Sequence, residues 1–447
     1  MNTPEPAIRR RQILDRAYGL LTNEEDARVC KDIPEEACRV VPENFFRLLG
    51  TNVLTRLGDA VVNPKTVLAW LVPLLEAPEF VLSLLVPIRE SGSLLPQLLI
   101  AQRIRQMELR KWSWVAGAVG QGICVAGMSA TVFFLTGWRA GVALLVLLAI
   151  FSLSRGICSV AAKDVTGKTV SKTRRGRLDG LSSTNAGLLV IALGAFLSVL
   201  QDASSVRILA LVMMAAGLFW FASAAIYASI DEHPGETSGG GNAWHTAMAQ
   251  LSLLHTDTTF RRFVLVRTLF IATALTNPYI VLLTQQRMPE EGIALLGVFV
   301  LVNGIGDSIS ATVWGIQADR SSRRVMIIAG GFACLLGLIV AVSEWVNAGI
   351  ANTVWFYSGL YFLLVICHSG MRLGRKTYLL DMAGGNKRTD YVAVSNTVIG
   401  VALLVAGVGT AAVAYVSVPL AVFTLALIAL AGTLMCLRLP EVQEDQG

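Results

Sequence analysis

Residues 291–324 read EGIALLGVFVLVNGIGDSISATVWGIQADRSSRR. The part from 291 to 318 is longer than the roughly 20 residues with which a helix crosses a bilayer. Beyond its first position it contains one charged residue, Asp307. A basic cluster follows it, as expected at the cytoplasmic end of a membrane helix. The stretch therefore predicts a transmembrane helix with an acid near its middle.

Similar apolar runs recur along the chain, which is 54% hydrophobic and 15% charged, whereas a soluble domain has roughly a quarter of charged residues. We predict an all-α membrane protein with twelve transmembrane helices in two pseudosymmetric six-helix bundles. The predicted helices 1 to 12 lie at 45–75, 79–102, 112–136, 139–165, 178–201, 205–230, 260–286, 291–318, 324–346, 351–382, 391–415 and 417–438.

The predicted domain organisation is two halves joined by a tether. The segment between helices 6 and 7 contains His233-Pro234-Gly235 and three consecutive glycines at 239–241, a composition typical of a flexible linker. The predicted units are a cytoplasmic N-terminal extension (1–44), an N-terminal six-helix bundle (45–230), a cytoplasmic linker (231–259), a C-terminal six-helix bundle (260–438) and a cytoplasmic tail (439–447).

The distribution of Lys and Arg between the connections predicts the orientation. Connections after even-numbered helices are rich in both residues, whereas the others contain only Arg139, Arg207 and Arg287. This asymmetry predicts that both termini lie in the cytoplasm. We expect the protein to lie in the inner membrane. It also accounts for the net charge of +6 without a nucleic-acid partner. We expect a lipid-embedded monomer, and no cofactor or metal, because no ligand spacing of Cys or His occurs.

Equal spacings relate the two halves. Asn63-Pro64 interrupts predicted helix 1 and Asn277-Pro278 interrupts predicted helix 7, at positions 214 residues apart. Glu90 in helix 2 and Asp307 in helix 8 are 217 residues apart. Such offsets are typical of a parallel duplication of six helices.

The end of the first stretch, GIQADRSSRR at 315–324, resembles the G-x-x-x-D-R-x-x-R-R signature that major facilitator transporters place between helices 2 and 3 and between helices 8 and 9. With the six-plus-six topology, residues 45–438 resemble a bacterial member of that superfamily, with no subfamily identified. In the first half Leu98 and Gln102 replace the glycine and the aspartate. The resemblance implies a cytoplasmic gate formed by Asp319, Arg320, Arg323, Arg324 and Arg103.

Charged residues inside the predicted helices are the candidate functional groups. Each costs roughly 2.5–3.5 kcal/mol at the centre of a membrane helix on insertion scales, so it needs a partner or a wet cavity. The acids Asp59, Glu90 and Asp307 are the candidates for proton coupling, because burial and a nearby cation change the proton affinity of an acid in opposite directions.

Basic and polar residues at similar depth are candidate substrate ligands. Arg89, Arg155 and Arg372 could hold a carboxylate or a phosphate, so we expect an anionic or zwitterionic organic solute. A second interpretation is that these arginines only neutralise acids in interhelical pairs. Arg375, near a cytoplasmic end, fits snorkelling or gating better than ligation. The remaining candidate ligands are His368, Asn63, Asn277, Asn185, Asn303 and Asn396.

The function that follows is secondary active transport of a small solute by alternating access, coupled to protons or another ion, rather than an enzyme activity. An alternative is a membrane sensor or assembly partner with the same fold, in which the buried charges are structural. Residues 162–169 read AKDVTGKT, close to a phosphate-binding loop, but an apolar span precedes them where that loop requires a strand.

Overall fold

The computed structural model describes residues 40–200, 205–235, 251–383 and 388–443, together with Leu14, Tyr18, Gly19 and Thr237. Most of the predicted N-terminal extension, part of the predicted linker and the end of the predicted tail lie outside these residues. The described residues form sixteen α-helices. They are α1 (Val41–Val61), α2 (Val67–Leu74), α3 (Phe80–Leu94), α4 (Gln97–Arg105), α5 (Lys111–Phe134), α6 (Gly137–Thr169), α7 (Lys172–Ser198), α8 (Ser205–Ala228), α9 (Leu253–Thr256), α10 (Thr258–Leu269), α11 (Ala272–Arg287), α12 (Gly292–Arg320), α13 (Ser322–Trp345), α14 (Val354–Met382), α15 (Arg388–Val416) and α16 (Val418–Cys436).

Ten segments of the described chain are long and apolar enough to cross a membrane, and they coincide with predicted helices 3 to 12. The prediction of an all-α, multi-pass membrane protein is thereby confirmed. Predicted helices 1 and 2 are each divided in two, as α1 with α2 and as α3 with α4. Residues 162–169 lie within the last turns of α6, so the sequence similar to a phosphate-binding loop is helical.

Proline explains two of the breaks, because it lacks an N–H and disfavours a helical residue before it. Asn63-Pro64 separates α1 from α2, and the Asn63 side chain accepts a hydrogen bond from the Lys65 backbone N–H at 2.8 Å. Pro96 separates α3 from α4. Predicted helix 7 differs, because it breaks at residues 270–271 while Pro278 lies inside α11. The predicted interruption at Asn277-Pro278 is therefore wrong.

The helices of the two halves pack in corresponding pairs. In the first half α5 packs against α6 and α8, and in the second half α13 packs against α14 and α16. Likewise α3 contacts α6, and α12 contacts α14. The halves meet along two long helix pairs, α3 with α15 and α7 with α12. These two pairs form the interface around which the candidate site is built.

Small residues allow the close approach of α7 and α12. A Cβ atom added to Gly194 would lie 2.4 Å from the backbone nitrogen of Leu301, and one added to Gly297 would lie 2.2 Å from that of Ser198. Such backbone-to-backbone contacts are typical of glycine at membrane helix interfaces. The two glycines therefore fix how closely the halves approach at this end.

Large apolar side chains cover the outer faces of the helices. Leu188, Val405 and Trp355 are 62%, 68% and 86% exposed. A water-soluble protein rarely exposes so much contiguous apolar surface, whereas hydrocarbon solvates it well.

Candidate functional site

One group of charges joins three helices of the first half. The Asp59 carboxylate on α1 lies 2.6 Å from the Arg155 guanidinium on α6 and 3.3 Å from the Arg89 guanidinium on α3. The Arg89 guanidinium also lies over the ring of Phe151, 5.0 Å from its centroid. Asp59 thus has two cationic partners, in the geometry that a neutralising interhelical pair requires.

A second group lies in the other half, on α12 and α14. The Asp307 carboxylate accepts hydrogen bonds from the Ser369 hydroxyl at 2.5 Å and from the Asn303 amide at 3.3 Å. The Arg372 guanidinium lies 3.6 Å from it, and the side chains of Arg372 and Asp307 are 61% and 44% exposed. This pair therefore borders open space, unlike the pairs around Asp59.

A direct contact connects the halves at the break between α1 and α2. The Lys65 ammonium donates a hydrogen bond to Nε2 of His368 on α14 at 2.8 Å. An ammonium has no acceptor, so Nε2 must be unprotonated and Nδ1 must carry the proton. Nδ1 then donates to the Thr273 hydroxyl on α11 at 3.2 Å. A charged Lys65 thus requires a neutral His368 with its proton on Nδ1.

Glu90 is next to Arg89 on α3 and is influenced by charges of both halves. It forms no hydrogen bond through its carboxylate and no ion pair with a described residue. The charges that act on it most are those of Lys65, Arg89, Arg375 and Arg372. Cations of both halves therefore act on Glu90, and none of the described ones forms an ion pair with it.

Three cations belong to the same region although the sequence analysis did not propose them as ligands. Lys65 contacts His368, Arg375 acts on Glu90, and Arg267 on α10 donates to Ser395 and Asn396 on α15. Lys65 lies in predicted helix 1, Arg267 in predicted helix 7 and Arg375 in predicted helix 10. Each is therefore a charged residue within a predicted membrane helix, the criterion by which the other charges were identified. Of the three, only Arg375 was considered from sequence, and its position near a helix end favoured snorkelling or gating.

The asparagine candidates have different environments. Asn303 and Asn396 donate to or accept from the charged groups described above. Asn63 is occupied by the turn at Lys65. Asn277 is 1% exposed, and its side-chain oxygen has no hydrogen-bond partner among the described residues. Asn185 is exposed and donates to Leu181 in its own helix, so it does not join the group of charges.

The two ends of the molecule differ in how tightly the halves are closed. Toward the predicted extracellular side, the Ser83 and Tyr279 hydroxyls are 2.7 Å apart and join α3 to α11, and α2 packs against α11. Toward the predicted cytoplasmic side, a cavity of about 410 Å³ separates α3, α4 and α6 from α15. Its polar lining consists of Gln97, Arg105, Arg110, Lys163, Asp164, Asn396 and Thr397.

The predicted gate residues lie at this open end. The loop after α12 is held by the tail of its own half, because Arg323 donates to the Leu439 carbonyl at 2.9 Å and Ser321 donates to Glu441 at 2.7 Å. The side chains of Asp319, Arg320, Arg324 and Arg103 make no hydrogen bond or ion pair with a described residue. Among the described residues, these four side chains therefore form no hydrogen bond or ion pair across the halves.

The corresponding end of the first half is also held by an acid that follows its last helix. Glu232, whose side chain is fully buried, accepts from the backbone amides of Arg110 at 3.1 Å and Lys111 at 2.7 Å. It also pairs with Lys168 at 3.1 Å. Residues 231–235, assigned from sequence to the linker, are therefore anchored to the first half at α5 and α6.

Comparison with solved structures identifies the fold. The nucleoside transporter NupG has a TM-score of 0.69 at 8% identity, over 89% of this chain and 99% of that one. The D-xylose-proton symporter has a TM-score of 0.66 at 13% identity, over 90% and 99%. A POT family transporter in complex with 5-aminolevulinic acid has a TM-score of 0.68 at 11% identity, over 88% and 95%. No protein-family model and no curated protein matches the sequence.

The three similar structures are all membrane transporters, and the similarity covers almost the whole of each. The chain therefore has the fold of transporters of the major facilitator type, as the signature at 315–324 indicated. At 8–13% identity this similarity concerns the fold only. It does not indicate which solute the chain binds.

Proposed function

We propose that the protein is a secondary active transporter that moves a small organic anion or zwitterion across the inner membrane by alternating access. The observation that carries the proposal is the Lys65–His368 contact, which brings the charges of both halves together between the helices. In transporters of this architecture, sites at the interface of two repeats are exposed to one side at a time.

The proposal includes twelve spans in two six-helix bundles. α1 with α2 and α3 with α4 would supply the first two spans, each broken by a proline. The corresponding packing of α5 and α13 supports the duplication. Both termini and the linker would lie in the cytoplasm, as the basic connections indicate, and the described arrangement would then be open toward the cytoplasm.

The charge balance supports an anionic cargo. The similar structures transport or bind different solutes, a nucleoside, D-xylose and 5-aminolevulinic acid, so they do not select a class. Around the Lys65–His368 contact the cations outnumber the carboxylates. The cations are Lys65, Arg89, Arg155, Arg267, Arg372 and Arg375, and the carboxylates are Asp59, Glu90 and Asp307.

Proton coupling is proposed through Glu90, with Asp59 and Asp307 as further candidates. Glu90 has no ion-pair partner among the described residues, and cations act on it from both halves. An anion bound to those cations would take part of their charge away from Glu90. Occupancy by the cargo and protonation of Glu90 would thereby be linked.

The test is uptake into liposomes that contain the purified full chain, with and without an imposed proton gradient, using a panel of organic anions. We expect gradient-driven uptake of at least one anion. Glu90→Gln should abolish that uptake but retain exchange of the anion between the two sides, whereas Glu290→Gln, at an exposed position outside the site, should behave as the wild type. Absence of flux for the whole panel, or unchanged gradient-driven uptake in Glu90→Gln, would refute the proposal.

The alternative is a sensor or assembly partner that keeps this fold without transport. The complete pairing of Asp59 with Arg155 and Arg89 favours it, because such a pair can serve the bundle alone. In that case the anion panel gives no flux, and substitutions at Asp59 change stability only.

A further inference from the structure

The cavity on the predicted cytoplasmic side has more cations than carboxylates in its lining. The described lining includes three cations, Arg105, Arg110 and Lys163, and one carboxylate, Asp164. Asp164 forms ion pairs with Arg110 and, at 3.3 Å, with Lys168. Arg105 and Lys163 are exposed, and their side chains form no hydrogen bond or ion pair with a described residue. The cavity therefore offers two cations to a ligand.

Apolar side chains make up much of the remaining lining. They include Leu94 on α3, Ile104 on α4, Val160 on α6 and Val392 on α15. The contributions of α4 come from one face of that helix, because Ile104 and Arg105 follow Ala101 by three and four residues. Apolar and cationic groups thus alternate within one site. Such a lining fits an anion that also has an apolar part better than a small, fully hydrated anion.

The cavity lies at the level of the membrane surface. Trp112, at the start of α5, is 50% exposed, and the Lys111 ammonium lies 5.4 Å from the centroid of its ring. Both residues directly follow Arg110, which lines the cavity. Exposed tryptophan is enriched at the boundary between membrane and water, and Leu99 on α4 is also 50% exposed. The cations of the cavity are therefore at the depth of phospholipid head groups.

We propose that this cavity binds an anionic phospholipid of the cytoplasmic leaflet. The phosphodiester would accept hydrogen bonds from Arg105 and Lys163, and the first methylenes of the acyl chains would lie against Val160 and Val392. Basic pockets between membrane helices on the cytoplasmic side bind anionic head groups in this way. A volume of about 410 Å³ has room for the head group, while the rest of the chains would stay in the bilayer beside Leu99.

A lipid in this position would act on both halves. The elements α3, α4 and α6 belong to the first half, and α15 belongs to the second. A head group held between them would keep the two halves apart on this side. The lipid would therefore favour the arrangement that is open toward the predicted cytoplasmic side, because it binds that arrangement more tightly than the closed one.

The experiment is a lipid titration of the purified full chain in detergent, followed by native mass spectrometry. The probes are phosphatidylglycerol, which is anionic, and phosphatidylcholine with the same acyl chains, which is zwitterionic. We expect phosphatidylglycerol to bind at least about tenfold more tightly and to raise the melting temperature in a parallel thermal shift. An excess of methyl phosphate, an anion without acyl chains, should not displace it.

Variants of the two cations test the site. Lys163→Gln and Arg105→Gln should each weaken phosphatidylglycerol binding by about fivefold, without changing phosphatidylcholine binding. Arg177→Gln is the matched control, because it removes one charge at an exposed position on the same predicted side, in α7 and outside the cavity. Lys163→Arg should keep the affinity of the wild type. Ala101→Trp keeps both cations but fills the cavity, so it should abolish the preference for phosphatidylglycerol.

Three results would overturn the proposal. One is equal affinity for phosphatidylglycerol and phosphatidylcholine. Another is an equal loss of affinity in Lys163→Gln and Arg177→Gln, which would assign the effect to net charge alone. Displacement of phosphatidylglycerol by methyl phosphate would assign the cavity to free anions instead of lipid. None of these results depends on transport, so the lipid site and the proposed function are tested separately.

Discussion

Replacing Asp59 by asparagine tests whether the charges of the first half are balanced as a unit. The Asp59 carboxylate is the shared partner of Arg155 at 2.6 Å and Arg89 at 3.3 Å. An asparagine keeps the size of the side chain and one acceptor oxygen but removes the negative charge. Two guanidiniums would then face each other without a counterion, and we expect the bundle to lose stability.

The magnitude follows from the exposure of the three side chains. Removing one partner of a fully buried pair costs about 3–5 kcal/mol, and removing one from an exposed pair costs about 0–1 kcal/mol. The side chains of Arg89, Asp59 and Arg155 are 16%, 22% and 29% exposed, which lies between these limits. We expect Asp59→Asn to lower the free energy of unfolding by about 2 kcal/mol.

The assay is thermal unfolding in detergent, followed by tryptophan fluorescence, with Asp179→Asn as the control. Asp179 forms an ion pair with Arg56 that is 74% exposed on the Asp179 side, so its loss should change stability by less than about 1 kcal/mol. Adding Arg155→Gln to Asp59→Asn removes one uncompensated charge and should recover about half of the loss. Equal effects of Asp59→Asn and Asp179→Asn, or strictly additive effects in the double variant, would refute this account.

Three shorter predictions concern contacts that join helices. Gly297→Ala would place a Cβ 2.2 Å from the backbone nitrogen of Ser198, so we expect it to separate the halves and raise the reactivity of cysteines introduced at the predicted extracellular side. Glu232→Gln should lower the free energy of unfolding by about 1–3 kcal/mol, because the side chain loses the negative charge with which it binds two backbone amides and Lys168. Thermal unfolding of the variant and the wild type measures this difference. Lys65→Gln should reduce uptake into liposomes severalfold, because it removes the charged donor to His368, with unchanged uptake as the contrary result.

The sequence predicted the membrane spans well because the signal is strong and local. Predicted helix 8, at 291–318, corresponds to α12 (Gly292–Arg320), whose ends are set by Gly292 and by Ser321, the cap of the next helix. The interruption of helix 1 at Asn63-Pro64 was predicted. Helix 2 was predicted as continuous although Pro96 divides it, because an apolar run satisfies the length requirement whether or not its backbone is interrupted.

The candidate site could be predicted only in part. Asp59, Glu90, Arg89 and Arg155 were identified because a charge within an apolar run is visible in one dimension. Their pairing was not, because it depends on how α1, α3 and α6 cross, and helix crossing is set by packing rather than by spacing along the chain. Arg267 was omitted although it too lies within an apolar run, and its neutral partners Ser395 and Asn396, more than a hundred residues away, could not be read from the sequence.

The distribution of charge between the halves gives the proposed cycle a physical cause. The second half contributes Arg267, Arg372 and Arg375 against Asp307 alone, and the first half adds Lys65 together with Glu90 at the contact point. Bringing the halves together on the open side without a ligand would compress these like charges. A bound anion would cancel that repulsion and favour the closed arrangement. A ligand shifts a conformational equilibrium only through its different affinity for the two states, and here the excess of cations supplies that difference.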